Sequence, residues 1–376
     1  MTATPTPETL SQRALNRATL ARQMLLERRS RPALDAIEHL VGMQSQAPDA
    51  PYVGLWARLQ GFQPDELSTL TANREVVRIG LMRATVHLVS ARDALTLRPL
   101  VQTVLDRGFS SQVRKHLEGV DPAEARDLGL ALLAERPRTR AELGRLLAER
   151  WPDRDPASLS YAVTYLGPLV QVPPRGLWRA GGPSAHTTLQ HWLGRPLDPA
   201  PSIDEVVVRY LGAFGPAGVM DVQAWSGLTR LREVTDRLGG RLRRFRTEDG
   251  KELFDLPDAE RPSPDAPAPV RFLPEYDNLL LSYADRRRVN PQGHKVPLYP
   301  GNGGRLGEVL VDGMFAGRWR LVHEAAEAEE ATVVVEPFAR LDRAQQPAVE
   351  EEGRALLAFV APGADRHRVE IASPTG

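Results

Sequence analysis

One pattern of punctuation recurs along this chain at a spacing of about eighty residues: a side-chain cap, short helices, then two short strands. Asp121-Pro122-Ala123-Glu124 reads as an N-cap with proline at the first helical position. Thr139-Arg140-Ala141-Glu142 reads as a capping box leading into Leu143, Leu146 and Leu147. A third helix carries Leu159, Val163 and Leu166, and a hairpin with strands at 169–172 and 177–179 follows. From Ser202-Ile203-Asp204-Glu205 the series starts again. Leu228, Leu231, Val234 and Leu238 mark its last helix, Gly239-Gly240 stops it, and strands at 241–246 and 253–256 turn at Asp249-Gly250. Three short helices closed by a two-stranded hairpin is the winged-helix order, so the expected partner is duplex DNA.

The first part of the chain follows the same order. Ala14, Ala18, Ala21 and Leu25 recur on one helix face, and Leu34, Ile37 and Val41 continue into a second helix. That helix carries Gln44 on its inward side until Pro48 and Pro51 end it. A third helix is expected over 52–59, strands 75–79 and 85–89 pair, and Ser90 with Asp93 caps the next helix. Residues 257–269 form a linker rich in Pro, Asp and Ala. Strands then dominate, at 270–272, 279–283, 309–311, 314–322 and 331–335, with a turn at Asp312-Gly313, a helix at 345–359 and a last strand at 367–371. The expected class is α+β, with three tandem winged-helix modules over 1–118, 119–199 and 200–260 and a strand-rich C-terminal domain over 261–376.

Charge enters because DNA binding normally leaves a basic footprint, whereas this chain balances 48 Lys and Arg against 48 Asp and Glu. The balance hides a segregation. Arg243, Arg244 and Arg246 crowd the first strand of the third hairpin, and Arg286, Arg287 and Arg288 crowd a loop over 285–295, while acids gather over 324–352. These two arginine clusters are the candidate phosphate contacts. The absence of cysteine excludes disulfides, thiolate zinc, iron–sulfur clusters and a cysteine nucleophile. The eight histidines are scattered and no phosphate-cradling glycine loop precedes a lysine and helix, so neither a metal nor a cofactor is expected. The first residues have no apolar core and no long apolar run follows, which predicts a soluble, cytoplasmic, nucleoid-associated protein without a membrane partner.

Gln44-Ser45-Gln46, followed by Pro48, is the one polar constellation worth weighing for chemistry. Glutamines position and polarise but do not ionise. In a purely structural reading, both amides satisfy backbone groups at a helix end. His87, between Val86 and Leu88, reads by itself as a hydrogen-bonded core residue.

Three stretches taken together change that balance: Leu40-Val41-Gly42-Met43-Gln44-Ser45-Gln46-Ala47-Pro48, Arg83-Ala84-Thr85-Val86-His87-Leu88, and Leu273-Pro274-Glu275-Tyr276-Asp277-Asn278-Leu279-Leu280-Leu281. With Gly304-Arg305-Leu306-Gly307 and the hairpin after it, the chain resembles the AlkZ-type winged-helix DNA glycosylases over nearly its whole length. The resemblance implies a β-barrel-like C-terminal domain and a cleft of DNA size. It also implies catalysis by a Gln-x-Gln motif at Gln44 and Gln46, with His87 helping to place a phosphate or water, and no cofactor. The middle residue departs from the family pattern: it is usually aliphatic, and here it is Ser45. The implied substrates are N7-alkylated purines in duplex DNA, bulky or crosslinked adducts among them. Lysine occurs only at 115, 251 and 295, none near the glutamines in sequence, so an intact abasic product is expected. The alternative is a winged-helix regulator without chemistry. Regulators dimerise onto palindromes, whereas three different modules on one chain predict a monomer with no protein partner.

Overall fold

The computed structural model describes residues 7–296, 306–323 and 330–374, so Gly304, Arg305 and the acidic residues Glu324, Glu327 and Glu329 lie outside the described residues. Through its first hundred residues the chain runs β1 (Glu8–Leu10), α1 (Gln12–Arg22), α2 (Ala33–His39), β2 (Met43–Gln44), α3 (Ala50–Trp56), α4 (Pro64–Ala72), β3 (Val76–Gly80), β4 (Val86–Ser90) and α5 (Ala91–Leu100). The Ser90 hydroxyl accepts from the Asp93 amide, the expected cap of α5. α1 is not the one-faced helix its alanines suggest. Eight of its eleven residues are buried, among them Asn16, Arg17 and Arg22, because it is enclosed on several sides at once. Asn16 Nδ2 donates to the Arg288 and Gly313 carbonyls at 2.8 Å, and Arg22 grips Asp255 through both terminal nitrogens.

The middle of the chain adds α6 (Gln102–Gln112), α7 (Pro122–Glu135), β5 (Arg138–Thr139), α8 (Arg140–Ala148), α9 (Pro156–Leu166), β6 (Leu169–Gln171), β7 (Ala185–Thr188) and α10 (Leu189–Leu193). Both predicted starts are present. Asp121 accepts from the Ala123 amide at 2.9 Å, and Thr139 and Glu142 close a reciprocal capping box. The hairpin differs from expectation, since β6 pairs with β7 instead of with 177–179. The intervening residues 172–184 leave the sheet and come back, a detour that local periodicity does not reveal. Strands β2-β4-β3-β6-β7-β5 form one six-stranded sheet, which crosses the expected border at residues 118 and 119.

Next come α11 (Ile203–Phe214), α12 (Val219–Ser226) and α13 (Arg232–Leu238), then the hairpin β8 (Arg243–Thr247) and β9 (Glu252–Asp255), onto whose edge β1 adds in parallel. Tyr210, Phe214 and Trp225 from these helices share a core cluster with Ile79 and Val89 of the six-stranded sheet and with Val41 in the turn before β2. The last part contributes β10 (Arg271–Pro274), α14 (Asn278–Leu281), β11 (Leu306–Val311), β12 (Met314–His323), β13 (Glu330–Pro337), α15 (Gln345–Val360) and β14 (Arg366–Ile371). Two expectations are corrected here. Residues 278–281 are a helical turn and not a strand, because the Asp277 carboxylate caps the Leu279 amide at 2.9 Å. The described C-terminal strands form an open five-stranded sheet, β10-β11-β12-β13-β14, and not a barrel. The fold is mixed α+β, and among the described residues no helix is long and apolar enough to cross a membrane.

Candidate active site

α2 stops at His39, five residues short of Gln44. Val41 and Gly42 take positive φ angles of 54° and 93° and turn the chain, so that Met43 and Gln44 emerge as an edge strand paired with Leu88 and His87. A side chain at position 42 would meet Val89 Cγ1 at 2.4 Å, so this turn requires glycine on both steric and conformational grounds. The expected inward helix position of Gln44 is therefore corrected to a strand position. Ser45 continues the pairing by donating its amide to the Val86 carbonyl at 2.8 Å. Strand alternation puts Gln44 and Gln46 on one face and Ser45 on the other. Ser45 is fully buried, where its Oγ and carbonyl accept from Arg78 Nε at 3.0 Å and Nη2 at 2.7 Å. The residue that departs from the family pattern thus anchors a buried guanidinium.

Gln44 is 7% exposed and Gln46 is open to solvent. The Gln44 oxygen accepts from Arg83 Nη2 at 2.5 Å, while Arg83 Nη1 donates to the Trp225 carbonyl at 2.6 Å. Arg83 therefore ties the glutamine to α12. Burial, with the Arg286 charge adding to it, pulls the Arg83 guanidinium down to about 10. Arg83 and Ala84 occupy the left-handed region at φ 55° and 57°, as does Tyr276 at 62° beside the cavity that Gln44 lines. Non-glycine residues in this region cost roughly 1–3 kcal/mol each and cluster at functional sites. Among the described residues the Gln46 oxygen accepts only a long contact from the Val86 amide, 3.4 Å.

His87 stands beside Gln44 in the sheet and is 0% exposed. Its Nδ1 donates to the Thr85 carbonyl at 3.0 Å, which fixes the proton on that nitrogen. Nε2 is left buried with no hydrogen-bond partner among the described residues. Burial, reinforced by Arg83, drives the imidazole down to about 3, so the ring is neutral. A neutral, enclosed ring does not hold a phosphate, which corrects that half of the role expected for His87, the placing of a phosphate or a water. Behind this strand the Leu273–Leu281 segment acts as a brace. Asn278 Nδ2 donates to the Gly42 carbonyl at 2.9 Å, and Arg58 meets both Asp277 oxygens at 2.8 and 2.9 Å.

The two arginine clusters separate into different environments. Arg243, Arg244, Arg246, Arg286 and Arg287 are exposed. Arg288 is not: it is 3% exposed, lies 4.1 Å from the Tyr283 ring centre and donates to the Pro216 carbonyl at 2.8 Å, so it is a core residue and not a phosphate contact. Between the β8–β9 hairpin and the loop after α14 lies a cleft of about 1080 Å³, lined by Arg232, Lys251, Arg286, Arg287 and Lys295 among others.

The profile of the family described as "DNA glycosylase AlkZ-like" matches residues 37–359. The chain belongs to the AlkZ-like DNA glycosylases. A curated relative from Streptomyces sahachiroi, the "Interstrand DNA cross-link repair glycosylase", is 25% identical over 360 residues, which cover 89% of this chain and 92% of the relative. The solved structure of the Streptomyces sahachiroi DNA glycosylase AlkZ superposes with a TM-score of 0.76 at 21% identity, covering 97% of this chain and all of that one. The fold is therefore shared.

As an AlkZ-like protein the chain is a DNA-binding repair enzyme of the type that hydrolyses N-glycosyl bonds. The residues around its Gln-x-Gln motif that sequence reading left without a role are Arg83, Arg78 and the Arg58–Asp277 pair. Arg83 and Asp277 lie in stretches that carry the family resemblance, but their partners are set only by the packed chain.

Proposed function

We propose that this protein releases N7-alkylated purines from duplex DNA by hydrolysis and leaves an intact abasic site, with bulky or crosslinked adducts among its substrates. The observation that carries the reading is the state of Gln44. Its oxygen is fixed by Arg83, and its amide nitrogen makes no hydrogen bond among the described residues, on an edge strand next to exposed Gln46. The name of the curated relative supports the extension to crosslinks.

Alkylation at N7 puts a positive charge on the purine before any protein acts. The C1′–N9 bond breaks with its electron pair going to N9, the base leaves neutral, and the sugar becomes an oxocarbenium ion. Water then adds to C1′ and gives its proton to solvent. No strong acid is needed. Gln46 Oε1, lightly held, accepts from the water and faces the cation, and Gln44 Nε2 donates to a sugar or phosphate oxygen, a preorganised arrangement of dipoles. His87 acts as a positioning residue through the β2–β4 pairing that sets it directly opposite Gln44. Lys251 is held by Asp285 at 3.0 Å and Asp249 at 3.3 Å, which keeps its amine protonated and unfit for Schiff-base chemistry. Borohydride trapping of a covalent adduct at any of the three lysines is the result that sinks the monofunctional assignment.

The experiment is single-turnover release of an N7-alkylguanine by the Gln44→Ala/Gln46→Ala double variant. Each catalytic contact is worth about 3 kcal/mol, or roughly a hundredfold in rate. Release is expected to fall at least that far, with melting temperature and affinity for undamaged duplex unchanged. A folded, DNA-binding double variant that releases base at the wild-type rate removes the site.

A further inference from the structure

We infer that the purine itself is received in a second cavity, lined by Gln46 and not by Gln44, built between the β3–β4 connection and α9. The inference rests on the glycosylase reading above and names the place that holds a base carrying a small N7 substituent. The cavity measures about 280 Å³, just below the roughly 300–1,000 Å³ that takes drug-sized ligands, so its scale is that of one base with a small substituent. The cavity under Gln44, at about 10 Å³, has no room for a base. Gln46 stands at the mouth of the larger one, and strand geometry separates it from Gln44 by about 7 Å.

The walls carry what recognition of a base requires. Tyr161, 40% exposed, offers an aromatic face, with the Arg140 guanidinium 4.5 Å from its ring centre. Extruded bases are held by such stacking together with hydrogen bonds to their pairing edge. Among the described residues Gln171 Oε1 is a buried atom of a lining side chain with no hydrogen-bond partner, and His186 Nδ1 makes no hydrogen bond of ordinary geometry, although its ring feels the Ser184 backbone. They are direct cross-strand neighbours on β6 and β7, hence about 5 Å apart at Cβ. His186 is 6% exposed, and burial followed by the Arg140 and Arg78 charges, with the Ser184 backbone pulling the other way, brings it down to about 4, so it presents a neutral ring. Leaving such groups unpaired is costly unless a ligand pairs with them. The pairing edge of a purine sets an N–H donor beside an acceptor, N1–H and O6 of guanine or N6–H and N1 of adenine, which matches Gln171 Oε1 and a neutral imidazole protonated on Nδ1. Arg98 forms part of the same wall, held by the Gly167 carbonyl at 2.8 Å. Its charge and that of Arg140 oppose the cationic alkylated base and cease to oppose it once the base leaves neutral, so the cavity favours the product side of bond cleavage.

Gly80 gives a clean test, because it lines the cavity and a Cβ there would meet nothing closer than Leu105 Cδ2 at 3.9 Å. Titration calorimetry with free 7-methylguanine is compared for the wild-type protein, Gly80→Val and Gln171→Met, beside single-turnover release from methylated duplex. The cavity predicts measurable binding to the wild-type protein, weakened at least tenfold in both variants. Release should also slow at least tenfold, while melting temperature and affinity for undamaged duplex stay unchanged. Free base that binds all three proteins equally, or binds none of them, overturns the inference. A wild-type protein that releases no base from any alkylated duplex overturns the proposed function instead, and the calorimetry still decides the cavity.

Discussion

The arginines around Gln44 and those on the β8–β9 hairpin are the same residue type put to opposite uses. Arg83 and Arg78 are turned inward and donate to an amide oxygen, a hydroxyl and backbone carbonyls, and Arg58 is closed on Asp277. Arg243, Arg244 and Arg287 stand in solvent and pair with Glu8, Glu252 and Asp285 at 2.8, 3.1 and 2.6 Å. Exposed pairs of this kind are worth about 0–1 kcal/mol, so a phosphate displaces the carboxylate cheaply. Buried guanidiniums are fixed because every alternative leaves a charge or a carbonyl unpaired. Clustering in sequence therefore finds cations but does not say which set they belong to, and Arg288, third in an Arg-Arg-Arg run, belongs to the inner one.

The sharpest break in that comparison is at Arg58. Arg58→Met leaves the Asp277 carboxylate buried without its partner, a loss typically worth about 3–5 kcal/mol. The midpoint of urea unfolding should fall accordingly, whereas Arg244→Met on the hairpin should move it by less than about 1 kcal/mol. Equal shifts for the two variants would contradict the division into inner and outer sets.

Next in size is acid sensitivity, since His87 is an inner basic group that does not charge in the fold. Its folded pKa, about 3, lies below the usual 6.5. Above pH 6.5 neither the folded nor the unfolded state holds the proton, and full stability is present. Between about 6.5 and 3 the unfolded state binds it and the folded state does not, so stability falls by about 1.4 kcal/mol per pH unit for this one group, or about 3 kcal/mol by pH 4.5. His87→Leu should flatten that limb by one proton's slope in denaturation curves taken from pH 7 to 4.5. An unchanged slope would mean that the ring is reached by protons in the fold.

How far the sequence carries depends on whether each signal is local. The caps at Ser90, Asp121, Thr139 and Ser202 were legible because each is made within three residues of its helix. The β8–β9 hairpin was legible because its turn lies between its strands. The position of Gln44 was not, because a two-residue strand is defined by a partner more than forty residues away. Nor was the pairing of β6 with β7 across a long excursion. Residues 278–281, Asn-Leu-Leu-Leu, look like a strand until Asp277 is seen to cap them. At the site, the glutamines carried their own signature through a family pattern. Arg83 and Gln171 did not, since a hydrogen bond to Gln44 and an unpaired oxygen in a cavity are properties of the packed chain.

Arg83→Met tests the inner set at the chemistry itself. It removes a charged hydrogen bond to the Gln44 oxygen, worth about 1.5–3 kcal/mol, and frees the amide to rotate. Base release should slow roughly thirtyfold at about 2 kcal/mol, with the Kd for undamaged duplex within twofold of wild type. Arg83→Lys should restore part of the rate, because an ammonium still reaches an acceptor but does not bridge Gln44 and Trp225 together. A variant that loses duplex affinity in step with rate would put Arg83 on the outer side of the comparison, touching DNA directly.

The smallest effect separates members of the outer set from one another, and it is read from salt dependence. We propose that Arg243, Arg244, Arg246, Arg286 and Arg287 neutralise phosphates. Arg246 and Arg286 have no carboxylate partner among the described residues, whereas Asp249 and Asp285 grip Arg287 from two sides and raise its pKa further. A free guanidinium that meets a phosphate releases a counterion, and its loss makes the slope of log K against log salt shallower by about 0.9. A guanidinium that must first leave an aspartate gains less from the exchange, and its carboxylates, freed on binding, repel the same phosphate. Arg246→Ala and Arg286→Ala should therefore each change the slope by about one unit, and Arg287→Ala by clearly less. Arg288→Ala should leave the slope unchanged and lower the melting temperature, since its guanidinium bonds Pro216 inside the protein. Should Arg287→Ala and Arg286→Ala alter the slope equally, the ion pairs at Asp249 and Asp285 do not persist against DNA, and the outer arginines act as one interchangeable set.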